Sequence, residues 1–226
     1  MAEKIKIVAI SDTHTLHEEV IIPECDILIH AGDYTSTGLE DEVKDFLCWF
    51  SHQPARYKVF INGNHDRHGE SRFNSRTGAD LWMEELWNKY VYEVPDIVYL
   101  ENSAVWIEGI KIWGSPITPD FYPQNWAHNM PRGEKIKKVW NTIPEDTDIV
   151  VTHGPAYGVL DKVNRGERVG CQDLQQALYR VNPKIHICGH IHEGYGTDRV
   201  VDTGFFNVSI CNEYYRPINK PVIIEL

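Results

Sequence analysis

KIKIVAISDTH (residues 4–14) runs as a short apolar strand and then stops on an acid and an imidazole, Asp12 and His14. The pattern recurs four times along the chain. CDILIHAGD (25–33) ends on Asp33. YKVFING (57–63) is followed by Asn64, His65 and Asp66. DIVVTHGP (148–155) delivers His153, and KIHICGHIHEGYG (184–196) delivers His190 and His192. A single Asp after a strand is ordinarily a turn or cap residue, and a single surface His ordinarily does nothing. Five such events in series point instead to one shared edge. In open α/β sheets, ligands bind outside the carboxyl ends of the strands. Gly32, Gly63, Gly154 and Gly189 accompany four of the five. Glycine permits the tight turns and close backbone approach that let side chains from several strands converge.

Helical patterns lie between these strands. GLEDEVKDFLCWFSHQP (38–54) spaces Val43, Phe46, Leu47 and Phe50 at helical intervals, with acids early and Pro54 just beyond. GADLWMEELWNKY (78–90) places Leu81, Met83, Leu86, Trp87 and Tyr90 on one buried side. Segments 133–140 and 171–182 read as shorter helices. DIVYLENSAVWIEGIKIWGSP, from residue 96, reads as three strands in a meander, with turns at Glu101-Asn102 and Glu108-Gly109. RVVDTGFFNVSI (199–210) and PVIIEL (221–226) add strands near the end. The expectation is an α/β (α+β) chain, with sheets flanked by helices, forming one domain over residues 1–226. Two long loops, 66–78 and 114–133, stand out, since loops of this length in compact domains are often functional. The plainer reading of the second is that Phe121 and Trp126 staple it to the body.

The chain has 226 residues, enough for a sizeable core. Its 22 Lys and Arg against 33 Asp and Glu give a formal charge of −11. Such a surface repels polyanions, which counts against duplex nucleic acid and anionic membranes as partners. No apolar run approaches the roughly 18 residues of a spanning helix, and the start, MAEKIKIVAISD, is too short in apolar residues for a signal peptide. Five cysteines, widely spaced and without a C-x-x-C, read as free thiols of a reducing cytoplasm. The oligomeric state, homodimer included, stays open.

Two Asp, one Asn and several His form a mixed nitrogen and oxygen donor set without sulfur. That suits Mn²⁺, Fe, Zn²⁺ or Mg²⁺ and disfavours a thiolate structural zinc. The donors are too many for one ion. Two divalent ions sharing a carboxylate, about 3.5–4 Å apart, fit the set better.

DTH, GD, GNHD, THGP and GHIH, in this order over residues 12 to 192, resemble the motifs of the calcineurin-like metallophosphoesterase superfamily. WGSPITPDFYPQNWA, THGPAYGVLD and IHICGHIHEGYG are similar to its subgroup of metallophosphoesterase domain-containing proteins, related to class III cyclic nucleotide phosphodiesterases. The resemblance implies a four-layer αββα sandwich of two mixed sheets flanked by helices. It implies that Asp12, His14 and His192 hold one metal, that Asn64, His153 and His190 hold the other, and that Asp33 bridges them. Asn64 and His65 would face the scissile phosphate. His65 would act as general acid while a hydroxide between the metals attacks phosphorus. Manganese is the first choice of ion, and a small phosphodiester such as a cyclic nucleotide the substrate.

The chain departs from the Ser/Thr protein phosphatases of that superfamily, which carry GDxxDRG and GNHE. It reads GDYTSTG and GNHD, with Ser36 in place of the second aspartate and Thr37 in place of arginine. This counts against a protein phosphatase and removes one expected orienter of His65. Some members of the subgroup have glycine for the last histidine of GHxH, whereas this chain keeps His192. A nuclease or phosphomonoesterase on the same site, and a non-catalytic scaffold, are the rivals. An intact donor set with His65 counts against the scaffold. Elsewhere, His30 reads as a hydrogen-bonded core histidine, His186 as facing outward or pairing across the sheet, and Asp66 as a supporting residue rather than a ligand.

Overall fold

The computed structural model describes residues 4–68, 79–121 and 126–226, with the backbone alone at 79–81. The first sheet takes β1 (Lys6–Ile10), β2 (Cys25–His30), β3 (Ala55–Phe60), β4 (Ile97–Tyr99) and the terminal β13 (Val222–Glu225), in the order β13-β1-β2-β3-β4. Only β13 runs antiparallel to its neighbour. The second sheet takes β5 (Ser103–Ile107), β6 (Ile110–Ser115), β9 (Ile149–Thr152), β10 (Ile185–Cys188), β11 (Gly196–Val200) and β12 (Thr203–Asn207), in the order β11-β12-β10-β9-β6-β5. Its inner strands are parallel and both edges are antiparallel hairpins. A short pair, β7 (Thr118–Pro119) and β8 (Asn129–Met130), ties the loop after β6 to itself.

Strand side chains alternate between faces, and here both faces are apolar. Ile7, Ala9, Ile27, Ile29 and Val59 meet Ile112, Ile149, Val151 and Ile187 between the sheets. Their neighbours Val8, Ile10, Leu28 and Phe60 point the other way, onto α1 (Glu40–Ser51) through Val43, Phe46, Leu47 and Phe50. Leu86 and Trp87 of α2 (Ala79–Trp87), with Val91 of the π-helical turn that follows, complete that layer. On the far side, Trp113, Val150 and Phe205 pack against α3 (Glu134–Trp140) and α4 (Gln172–Val181). The result is the helix–sheet–sheet–helix sandwich that the motifs imply. Burying each of these large side chains contributes roughly 1.5–3 kcal/mol.

Helix ends follow their residues. The Glu42 carboxylate accepts from the backbone N–H groups of Thr37 (2.9 Å) and Leu39 (3.2 Å), closing the start of α1. Asn182 takes the left-handed conformation that ends α4. Among the described residues no helix is long and apolar enough to cross a membrane.

Three readings need correction. The meander over 96–116 is a sheet switch: β4 pairs parallel with β3, and the turn at Glu101-Asn102 carries the chain into the other sheet. Only β5–β6 is a hairpin, its Glu108-Gly109 turn having positive φ at both residues, as a type I′ turn requires. Segment 199–210 belongs to a hairpin, β11–β12, rather than one strand. His186 does point away from the inter-sheet core, but it is fully buried beneath the outer layer against Phe205. Beyond residue 68 the loop read at 66–78 lies outside the described residues, as does the Leu81 side chain.

The Thr152 hydroxyl donates to Gly154 O (2.7 Å) and therefore accepts from His186 Nε2 (2.8 Å). Burial lowers this imidazole to about 3, against roughly 6.5 unfolded. The unfolded chain therefore binds the extra proton. The associated stability is complete above pH ~6.5 and is lost as pH falls towards 3. Urea unfolding between pH 7 and 5 will show stability falling on acidification, and His186→Phe will flatten the slope by about 1 kcal/mol per pH unit.

Candidate metal centre

The residues that follow β1, β2, β3, β9 and β10 meet at the seam between the two sheets. Asp12, His14 and His192 bring one ligand atom each within 4.8 Å of one another, as do Asp33, His153 and His190. His153 Nε2 lies 3.2 Å from Asp33 Oδ2 and 3.1 Å from Asn64 Oδ1, which brings Asn64 into the second group. Asp33 also lies 4.0 Å from His14 Nε2, so its carboxylate sits between the groups. A third set, His14, Asp33 and His65, meets the same distance criterion and places His65 on the same side of the site.

Sharp backbone turns aim these side chains. Asp12, His14, Asp33 and His190 all have positive φ, from 43° to 65°, a region that non-glycine residues occupy sparingly and that clusters at functional sites. Glycine is obligatory where backbones touch. A Cβ on Gly189 would collide with Asp12 Oδ2 and Ser11 Oγ, and one on Gly63 with Asp33 and His153.

Hydrogen bonds set the tautomers. His153 Nδ1 lies 2.9 Å from Ala31 O, and His192 Nδ1 lies 2.9 Å from Asn212 O. A carbonyl only accepts, so both rings carry hydrogen on Nδ1. Their Nε2 lone pairs then face other acceptors: Asp33 and Asn64 for His153, Asp12 at 3.2 Å for His192. His192 Nε2 also faces His14 Nε2 at 3.3 Å. Such acceptor-to-acceptor geometry is favourable only with positive charge between the atoms. Burial opposes charging His153 and His192, yet Asp33 and Asp12 respectively outweigh it and lift both to about 9. Burial likewise opposes ionising Asp12, yet His192 holds it well below the usual carboxylate range. Burial keeps His14 down at about 4 and His190 at about 3, so both remain neutral donors of a lone pair.

A calcineurin-like phosphoesterase family model matches residues 5–194. The chain belongs to that family. It is 40% identical over 236 residues to Metallophosphoesterase domain-containing protein 1 of Homo sapiens, covering 98% of this chain and 71% of that protein. It is 34% identical to UPF0046 protein K07C11.7 of Caenorhabditis elegans, covering 98% of this chain and 75% of that one. The fold is shared with phosphopantetheinyl hydrolase from Mycobacterium tuberculosis at a TM-score of 0.61 and 16% identity, covering 98% and 97% of the two chains. The resemblance read from the motifs is therefore borne out.

This family typically binds divalent metals, and the donor set fits them. Convergent imidazole and carboxylate atoms hold protons where no metal is bound, and the same nitrogen and oxygen donors suit divalent cations in their place. Each Nδ1–H on a backbone carbonyl is the outer hydrogen bond that orients a ligating histidine.

His65 is held separately. Its backbone N–H donates to Asp33 Oδ1 (2.8 Å), and its Nδ1 donates to Ser36 O (2.7 Å). The expected carboxylate orienter is missing, and a main-chain carbonyl stands in for it. The Ser36 hydroxyl instead donates to His14 O at 3.2 Å. Asp66 is fully buried and accepts from the backbone N–H of Gly63 (2.7 Å), Asp33 (2.8 Å) and Thr35 (2.9 Å), and from Thr35 Oγ1 (2.6 Å). It is a brace, as read. His68 is buried on Tyr34 and does not line the cleft, while Arg67 lies over the Trp126 ring.

Several neighbours have no counterpart in the motifs. Ser209 donates to Asp12 (2.9 Å), Asn212 supplies the carbonyl on His192, and Tyr215 packs on His14 at 4.8 Å. Trp126 packs on His65 at 4.4 Å and Phe121 on His190 at 4.8 Å. Both therefore form walls of the site rather than staples on the body. Residues 122–125 of that loop lie outside the described residues.

Asp66→Asn puts an N–H₂ group against backbone donors and leaves buried groups unpaired. It will lower unfolding free energy by about 1–3 kcal/mol, measured in urea, whereas Asp202→Asn on the surface will cost far less.

Proposed function

We propose that this phosphoesterase is a dinuclear phosphodiesterase acting on small diesters, cyclic nucleotides among them. The observation that carries the reading is the shared Asp33 carboxylate between two donor groups, with the anchored His65 ring beside it. Asp12, His14 and His192 would hold one divalent ion, and Asn64, His153 and His190 the other, with Asp33 common to both. Manganese suits this mixed nitrogen and oxygen set. When bound, such ions polarise phosphoryl oxygens and lower the pKa of water.

The chain's own groups supply the rest. His65, with Nδ1–H committed to Ser36 O, presents Nε2 to the cleft. There it can give its proton to the departing alkoxide, so that diester and water become monoester and alcohol. Trp126, Phe121 and Tyr215 wall a cleft of about 340 Å³, the scale of small-ligand sites. Flat aromatic walls suit a base or aryl group. Five free thiols accord with a cytoplasmic location.

Hydrolysis of bis-p-nitrophenyl phosphate and of 2′,3′- and 3′,5′-cyclic nucleotides, assayed with Mn²⁺, tests this. Diester cleavage will vanish on chelation, and His65→Ala will lower kcat by about 10²–10⁴-fold. Metal-loaded protein that turns over no ester would end the reading. Chelation will also lower the melting temperature, since a ligand held only by the folded state stabilises it.

A further inference from the structure

The cleft is unusual for an anion-binding site. Among its described lining residues there is no lysine or arginine, and two glutamates, Glu193 and Glu213, stand at its rim. They are held together. The Asn164 backbone N–H donates to Glu193 Oε1 and its side-chain amide to Glu213 Oε1, both at 3.3 Å. One residue thus ties both carboxylates to the mouth of the cleft. Asp12 and Asp33 lie deeper in the same site. Glu213 also lies beyond residues 5–194, the part matched by the family as a whole.

We propose that Glu193 and Glu213 are specificity-determining residues, a charge filter that admits singly charged diesters and disfavours doubly charged monoesters and polyanions. The proposal rests on the phosphodiesterase reading and refines its substrate class. A site built for a monoester dianion would place a fixed cation where the second charge lies. This one has carboxylates at its rim, which repel each added substrate charge. The aromatic walls carry no charge and serve either ester equally, so discrimination falls to the rim. After cleavage the product is itself a monoester dianion, which the same carboxylates push outward.

The test is the double variant E193Q/E213Q, which keeps an oxygen acceptor for each Asn164 hydrogen bond. At pH 8, where a monoester carries two charges, kcat/KM for p-nitrophenyl phosphate will rise about five-fold at low salt, and that for the bis-p-nitrophenyl diester only about two-fold. Salt will raise the wild-type monoester rate relative to the diester rate and will move the variant's ratio less. In parallel, metal-loaded protein is titrated calorimetrically with phenylphosphonate and its monomethyl ester, which share a shape and differ by one charge. The variant will bind both more tightly, the dianion by about the square of the monoanion's gain. An unchanged ratio, or equal gains for both ligands, would overturn the filter. If wild type cleaves neither ester, the phosphodiesterase reading falls, and the titration alone decides the filter.

Discussion

A buried carboxylate must be compensated, and in this protein both central carboxylates are compensated across the seam between the two sheets. Asp12 follows β1 of the first sheet, yet it accepts from the His190 backbone N–H and from Ser209 of the second. Asp33 follows β2 and meets His153, which follows β9 of the other sheet. His153 in turn donates to Ala31 O of the first sheet. The apolar core joins the sheets along their length, and these polar ties join them at the carboxyl edge. The same atoms would be metal donors. Folding and site assembly therefore draw on one set of contacts, and charge at the seam bears on both.

The edge itself was legible because its signal is local. An apolar strand followed by Asp, His or Asn can be read within one short window, and five such windows, four of them with a glycine, contain every proposed ligand. The four layers came from the resemblance of the motifs; the strand and helix patterns alone gave only sheets flanked by helices. Sheet membership was not legible. Ile97, Val98 and Tyr99 pair with β3 across a distance in sequence that no pattern encodes, and the Asn102 turn after them looks like a hairpin turn whichever sheet follows. Main-chain acceptors were equally silent. Ser36 O and Asn212 O orient His65 and His192, but any residue supplies a carbonyl, so neither position has a residue signature. Trp126 and Phe121 were visible as aromatics in a loop; only packing distinguishes a site wall from a staple.

The carbonyl on His65 shifts the burden of orientation from one side chain to a loop. For Ser36 O to stay in place, residues 33–39 must hold their path, and two acids see to this. Asp66 grips the N–H groups of Asp33 and Thr35, and Glu42 grips those of Thr37 and Leu39. The motif departure at Ser36 is thus a relocation of the orienting contact. The cost of losing it is distributed over residues well outside the cleft.

Charge closes the argument for why an acidic chain can have an anionic substrate at all. With His14, His153, His190 and His192 all neutral, as ligation to metal requires, the centre formally holds the two negative charges of Asp12 and Asp33. On the proposed reading, one divalent ion cancels them and the second leaves a surplus of positive charge, confined to a few ångströms inside a chain of −11. Beyond a Debye length of roughly 8–10 Å that surplus is screened and the acidic surface dominates. An anion is attracted only once it is inside the cleft, which favours ligands small enough to enter with little charge outside. Extended polyanions meet the rim carboxylates and the surface field first.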